Sequence, residues 1–304
     1  MAIKIIGAGL AGLLTGSIFP RSHIFERGME DKINHKAVLR FRTPAVGEAV
    51  GVEFKPVTVH KGIWHNGFFA RPSIQLANLY SQKVIGRLAD RSIWNIEPAE
   101  RYIAPEDIVA QMAERCNGRI SWESEIDSLD AFRRDATQII TTIPIPFLLK
   151  LIGEQPPPQI AFKHAAITVR RWRIPNADIY QTIYFPSPET NLYRASITRD
   201  LLIAEYKDDP SSSDEDAFAL YDAFGLDPDD LLVLDKTKQS FGKIAPIDNN
   251  WRRNFLHRMT VERNIFSIGR FATWRNILMD DVIKDIHIVK RMMSATNYDR
   301  ALLK

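Results

Sequence analysis

Apolar residues run from Ala2 to Ile6, give way to Gly7, Gly9 and Gly12, resume from Leu10 to Phe19, and return in Ser22–Glu26. That order predicts a strand, a tight loop, a helix and a second strand in the first 26 residues. Residues 36 to about 100 interleave Gly, Pro and aromatics, which predicts loops with short helices and strands. Behind Pro105, apolar positions recur at helical spacing to Arg115, so a helix is expected that ends near Gly118. Ile120–Ile126 and Thr137–Ile143 have strand character, and Pro144 stops the second. Pro156, Pro157 and Pro158 mark a crossing between domains, since three rigid residues without amide donors suit a linker. His164 to Tyr206 alternates and is rich in Thr, Val, Ile, Tyr and Arg, which predicts antiparallel sheet. The acidic, serine-rich stretch from Asp208 to Asp216 reads as a solvated loop, followed by a helix to Phe224. A last strand, Asn264–Ile268, leads through Gly269 to a helix over about Asp280 to Met293. Internal repeats are absent.

At 304 residues the chain is long enough for two domains. Its 45% hydrophobic and 25% charged residues are those of an ordinary globular protein and exclude a disordered or collagenous chain. Forty basic against 37 acidic side chains give a net charge of +3. The pI near 8.9 permits a polyanionic partner without identifying one. A lone cysteine, Cys116, forms no internal disulfide and supports no cysteine-rich metal site, and it fits a reducing cytoplasm. No stretch reaches the 18 or more apolar residues of a membrane span. The apolar N-terminus imitates a signal peptide, but its glycines stand at nucleotide-loop spacing, so it is read as part of the fold.

Gly7-Ala8-Gly9-Leu10-Ala11-Gly12 is a G-x-G-x-x-G sequence between a predicted strand and a predicted helix. There the first glycine permits the tight turn, the second lets backbone approach a pyrophosphate, and the third lets helix and strand pack closely. Glu26 closes the second strand, where a carboxylate can accept ribose hydroxyls and would repel the 2′-phosphate of NADP. His60, His65 and His164 are isolated, without metal-pair spacing, and are more often structural than catalytic. No H-E-x-x-H, G-x-S-x-G or Walker loop occurs, so metal and serine-nucleophile chemistry have no support. In Arg170-Arg171-Trp172-Arg173, cations flank an aromatic, a combination able to hold a nucleic-acid strand. A strand whose arginines face water or carboxylates is the simpler reading.

Several motifs resemble the flavoproteins that include amine oxidases, protoporphyrinogen oxidase and UDP-galactopyranose mutase. The opening unit ends in His23-Ile24-Phe25-Glu26-Arg27, Ile120–Ile126 is similar to the strand that reaches the adenine, and Asp135–Pro144 is similar to the strand beneath the FAD. Ile265–Ile283, containing Gly269-Arg270, Trp274 and Met279-Asp280, resembles the mutase motif G-R-x-x-x-Y-x-Y-x-D-M-D-x-x-I without a gap. The resemblance implies noncovalent FAD held by Gly7, Ala8, Gly9, Leu10, Ala11, Gly12, Glu26, Arg27, Arg42, Ile126, Thr142, Gly269, Arg270, Met279 and Asp280. It also implies that the final helix presents its N-terminus to the pyrimidine end of the flavin. Trp274, Asn276 and Ile277 replace the motif's aromatics, which argues against mutase activity.

On this basis the fold expected is α/β, a Rossmann-like FAD domain (1–35, 101–153 and 258–304) with a mainly antiparallel substrate domain (36–100 and 154–257). The implied activity is oxidation of an amine or amino-acid C–N bond by hydride transfer to flavin N5. Lys243, Arg194 and Trp274 are the expected substrate-side residues over the ring. Small phage-type members associated with thymidine hypermodification extend the resemblance to a DNA-linked amino-acid adduct as substrate. The alternatives are a mutase-like sugar-nucleotide isomerase and a flavin-binding protein without turnover. No metal and no membrane partner are expected, and the location expected is the cytoplasm.

Overall fold

The computed structural model describes residues 3–30, 40–89, 92–133, 138–207 and 214–294. Along the chain they form β1 (Ile3–Ile6), α1 (Leu10–Ile18), β2 (Ser22–Phe25), β3 (Arg40–Phe41), α2 (Ala45–Val50), β4 (Lys55–His65), β5 (Phe68–Phe69) and α3 (Ile74–Ile85). β6 (Ala99–Ile103), α4 (Ile108–Arg115), β7 (Ile120–Ser121), α5 (Leu129–Phe132), β8 (Gln138–Thr141), α6 (Ile145–Leu151) and β9 (His164–Arg173) follow. The chain closes with β10 (Ile179–Tyr184), β11 (Leu192–Arg199), β12 (Leu201–Tyr206), α7 (Asp214–Phe224), β13 (Leu232–Ile244), α8 (Asn249–Arg263), β14 (Ile265–Ser267) and α9 (Met279–Ser294). Two compact units result, one from residues 1–55, 102–162 and 246–304, the other from 56–101 and 163–245.

The first unit holds a parallel sheet in the order β14-β8-β1-β2-β7. Ile5, Ile24 and Ile140 are fully buried, as expected of a parallel sheet covered on both faces. α1 carries no charge and is buried through Gly12–Gly16, while α4 buries Ile108, Val109 and Met112 along one stripe. With Val282, Ile283 and Ile286 of α9 they form one continuous apolar core. This matches the opening strand–loop–helix–strand reading and the C-terminal strand and helix.

Two local expectations need correction, and two others fall in part outside the described residues. The strand expected over 120–126 stops at Ser121, because Glu123 takes a left-handed backbone with φ 51°. Ser124 N–H still reaches Glu26 O at 2.8 Å, so the segment stays alongside the end of β2 as a turn. The helix behind Pro105 begins at Ile108, one turn later than expected. Asp135, Ala136 and Thr137, part of the motif that continues into β8, lie outside the described residues, as do residues 208–213 of the acidic stretch.

α8 was not anticipated from apolar spacing. It buries only Phe255, Met259 and Thr260, a stripe too narrow to stand out among four arginines. Its ends are nevertheless written locally. The Asp248 carboxylate accepts from Trp251 N–H at 2.7 Å, and Asn264 closes the helix at φ 48°.

In the second unit the strand order is β13-β9-β12-β11-β10-β4-β6. β9 to β12 and β13 pair antiparallel, in agreement with the alternation of 164–206, and β4 joins β10 in parallel. α7 covers one face, where Leu220 and Ala223 pack with Trp172, Ile183, Phe185 and Leu192. Trp172 is only 6% exposed, so it belongs to the core rather than to a stacking surface. Arg171 pairs with Asp235 and Arg173 with Asp200, which satisfies the simpler reading of this cationic run.

Candidate functional site

The glycine loop between β1 and α1 is built by close packing. Gly7 has φ 96°, a conformation that L side chains avoid, and a Cβ there would meet Thr142 Oγ1 at 2.5 Å. Thr142 Oγ1 donates toward Ile6 O at 2.9 Å, so this residue buttresses the turn from the end of β8. A Cβ on Gly12 would lie 1.9 Å from Gly7 O, so only glycine lets α1 start this close to β1. Gly9 is different. Its backbone is extended (φ −64°, ψ 178°), and an added Cβ would meet nothing within 4 Å. Neither backbone conformation nor neighbouring atoms require glycine there, and the space beside it is open.

Gly9 is also the N-cap of α1, without a capping side chain or an acidic residue in the first turn. The helix therefore offers its positive end and first N–H groups to that open space. Glu26 fixes the loop from the other side. Its Oε2 accepts from Ala8 N–H at 2.7 Å and its Oε1 from Gly28 N–H at 2.9 Å. Each carboxylate oxygen keeps a second lone pair, which leaves acceptor capacity for hydroxyls of a ribose. Leu10 and Ala11 are half-buried at the start of α1, and the guanidinium of Arg27 lies 5.4 Å from the Phe147 ring.

The C-terminal motif reaches the same loop. Gly269 has φ 96°, and a Cβ there would approach Ala11 Cβ to 2.9 Å. Arg270 follows, its guanidinium 5.7 Å from the Phe271 ring. The two glycine motifs at opposite ends of the chain therefore pack against one another.

Asp280 makes hydrogen bonds within the protein. It is 2% exposed, and its Oδ1 accepts from Arg42 N–H at 2.9 Å, Thr43 N–H at 3.0 Å and Thr43 Oγ1 at 3.2 Å. Arg42 also pairs with Asp281 at 2.7 Å. Asp280 thus ties the Arg42–Thr43 segment to the start of α9. Met279 is half-buried beside it, and Ile126 is half-buried beyond the end of β7.

Trp274 is 2% exposed, holds φ 46° and meets the Phe162 ring edge-on at 4.9 Å. Arg194 and Lys243 belong to the second unit. Arg194 forms a two-point ion pair with Glu205, with one contact of 2.7 Å. Lys243 Nζ lies 4.8 Å from the Tyr193 ring centre. Burial pushes the Glu205 carboxyl up, but Arg194 and Lys243 together hold it below the ordinary carboxylate value. Burial raises Tyr193 well above the usual phenol value. The sequence reading missed Glu205, whose signal is its place opposite Arg194 on the neighbouring strand.

Lys83 is a second residue missed from sequence. It is 7% exposed and donates to Phe185 O, Ser187 O, Leu192 O and Thr190 Oγ1 at 2.6–3.1 Å. Burial lowers it to about 7, against the pull of Asp216. His164 stacks on Phe241 at 4.2 Å, His60 lines an open cleft, and His65 Nδ1 is buried without a hydrogen bond. Among the described residues no group of His, Cys, Asp and Glu could hold a metal ion, and no helix is long and apolar enough to cross a membrane.

No protein-family model matches the chain, and no curated protein matches it. Solved structures do. It superposes on reduced UDP-galactopyranose mutase with a TM-score of 0.67 at 14% identity, over 96% of this chain and 94% of that one. An oxidoreductase from Methanosarcina mazei gives 0.57 at 11% identity, over 96% and 100%. A putrescine oxidase redesigned in its cofactor binding gives 0.55 at 10%, over 97% and 99%. At these identities the likeness is one of fold, and along nearly its whole length the chain has the fold of the UDP-galactopyranose mutase and putrescine oxidase structures.

Proposed function

We propose that the chain is an FAD-dependent oxidoreductase that oxidises an amine or amino-acid C–N bond. The observation that carries the cofactor is the contrast within the loop. Gly12 and Gly269 are glycine because neighbouring atoms leave no room, whereas Gly9 is glycine beside open space at an uncapped helix N-terminus. A pyrophosphate against that backbone accounts for both. Glu26 would accept the adenosine ribose hydroxyls, and Gly269 and Arg270 would face the pyrophosphate and ribityl. The first turn of α9 would place its positive end at the flavin pyrimidine.

Bound there, the flavin would supply a two-electron acceptor for substrate hydride at N5, with O2 as the final oxidant. The chain's own residues would do the binding and positioning. Arg194, held by Glu205, would bind an anionic group of the substrate. Lys243 would hold a water at its ammonium to assist proton movement, and Trp274 would supply an apolar wall. A DNA-linked amino-acid adduct is the bulky version of this substrate class. The mutase-like reading remains the alternative, because the fold is shared with UDP-galactopyranose mutase over most of both chains.

Anaerobic mixing of FAD-loaded protein with amines and amino acids, free and DNA-linked, tests the reading. Bleaching of the visible flavin absorbance by a member of this set is the expected result. Conversion of UDP-galactofuranose by the reduced protein, with no bleaching by any amine, would establish the alternative instead.

A further inference from the structure

A cleft of about 320 Å³ runs between α8 and α9 of the first unit, along the edge strand β14. Its lining includes none of Gly7–Gly12, Glu26, Gly269 or Arg270, so it is separate from the dinucleotide loop. Three arginines open onto it, Arg252 and Arg253 from α8 and Arg275 from the turn before α9. Asp285 is the single carboxylate, and it pairs with Arg275. Arg252 donates to Thr273 O at 3.3 Å and Asn249 Oδ1 at 2.5 Å, both neutral acceptors. Arg253 is exposed and makes no hydrogen bond or ion pair among the described residues.

Crowding three guanidinium groups beside one carboxylate is unfavourable unless an anion shares them. Burial, then Arg275 and Arg253, hold Arg252 below the ordinary arginine value. The imbalance leaves an excess of two positive charges. Ser267 of β14 also lines the cleft, although its Oγ is itself buried. Phe266, Ile288 and Val289 add an apolar floor.

We infer that this cleft is a binding site for a small phosphate monoester with an apolar substituent. The dianion matches the two excess charges, and guanidinium forks match phosphate oxygens in pairs. The cleft's size lies at the small end of ligand sites, which fits a single phosphorylated small molecule rather than a polymer.

Phenyl phosphate titrated into the protein by calorimetry is the direct test, with phenol as the uncharged control. Gly9→Asp, which places a carboxylate in the dinucleotide loop, separates the two phosphate-accepting regions. One-to-one binding is expected that survives in Gly9→Asp, weakens about tenfold or more in Arg253→Gln and in Arg252→Gln, and is partly restored by Arg253→Lys. Circular dichroism spectra matching wild type confirm that the arginine variants fold. Absence of binding, equal binding of phenol, or binding lost in Gly9→Asp and kept in the arginine variants overturns the inference. Arginine-dependent binding of a single-stranded oligonucleotide without binding of phenyl phosphate overturns it in favour of a nucleic-acid surface.

Discussion

The Glu26 carboxylate accepts the Ala8 N–H at 2.7 Å, which ties the acid that ends β2 to the loop that ends β1. One side chain thereby shapes the loop and keeps lone pairs for a ligand. Glu26→Gln exchanges one acceptor oxygen for a donor facing Ala8 N–H or Gly28 N–H. FAD affinity is expected to fall roughly tenfold to a hundredfold, with a stability loss of about 1 kcal/mol. Fluorescence titration and urea unfolding measure the two effects separately.

The glycines of the loop should separate in the same way. Gly12→Ala forces a Cβ onto Gly7 O and should destabilise the fold by about 2 kcal/mol or more. Gly9→Ala adds its methyl to open space on extended backbone, so stability should change by less than about 0.5 kcal/mol. Its FAD affinity should nevertheless drop. Equal stability losses in the two variants would show that the space beside Gly9 is not kept for a ligand.

Lys243→Met keeps most of the side-chain length and removes the charge. If Lys243 assists the chemistry, stopped-flow flavin reduction or reoxidation should slow at least tenfold with FAD still bound. Unchanged rates would leave Lys243 with a structural role beside Glu205 and Tyr193.

Glu154 sits between Arg258 at 2.8 Å and Arg263 at 3.3 Å. The Arg258 hydrogen bond holds its carboxyl below the ordinary value of 4.5, although burial opposes this. A folded-state value below the unfolded one stabilises the fold above pH 4.5, and that advantage disappears as pH falls through the folded-state value. The partly exposed pair should contribute about 1 kcal/mol or less. The stability gap between wild type and Glu154→Gln should therefore be fully present at about pH 6 and shrink as pH falls below the ordinary carboxylate value.

Local periodicity carried the opening unit, the sheet from 164 to 206 and α9, because each buries a broad apolar set at a regular spacing. α8 escaped because its buried stripe is only Phe255, Met259 and Thr260, although Asp248 and Asn264 mark its ends. Glycine spacing pointed to the loop, but only packing distances separate Gly12, which is crowded, from Gly9, which is not. The partners of Asp280, Arg42 and Thr43, lie on a distant segment, and no local pattern announces them. Lys83 is hidden for a similar reason: its acceptors are mostly backbone carbonyls of residues 185–192, which leave no mark in side-chain identity.

Whether the Gly7–Gly12 loop holds a flavin dinucleotide is read by titrating FAD into wild type and Gly9→Asp, with thermal unfolding of both recorded. One-to-one saturable binding to wild type, lost in Gly9→Asp at unchanged unfolding temperature, is the result the structure predicts. No saturable binding to wild type, or equal binding to both proteins, would contradict it.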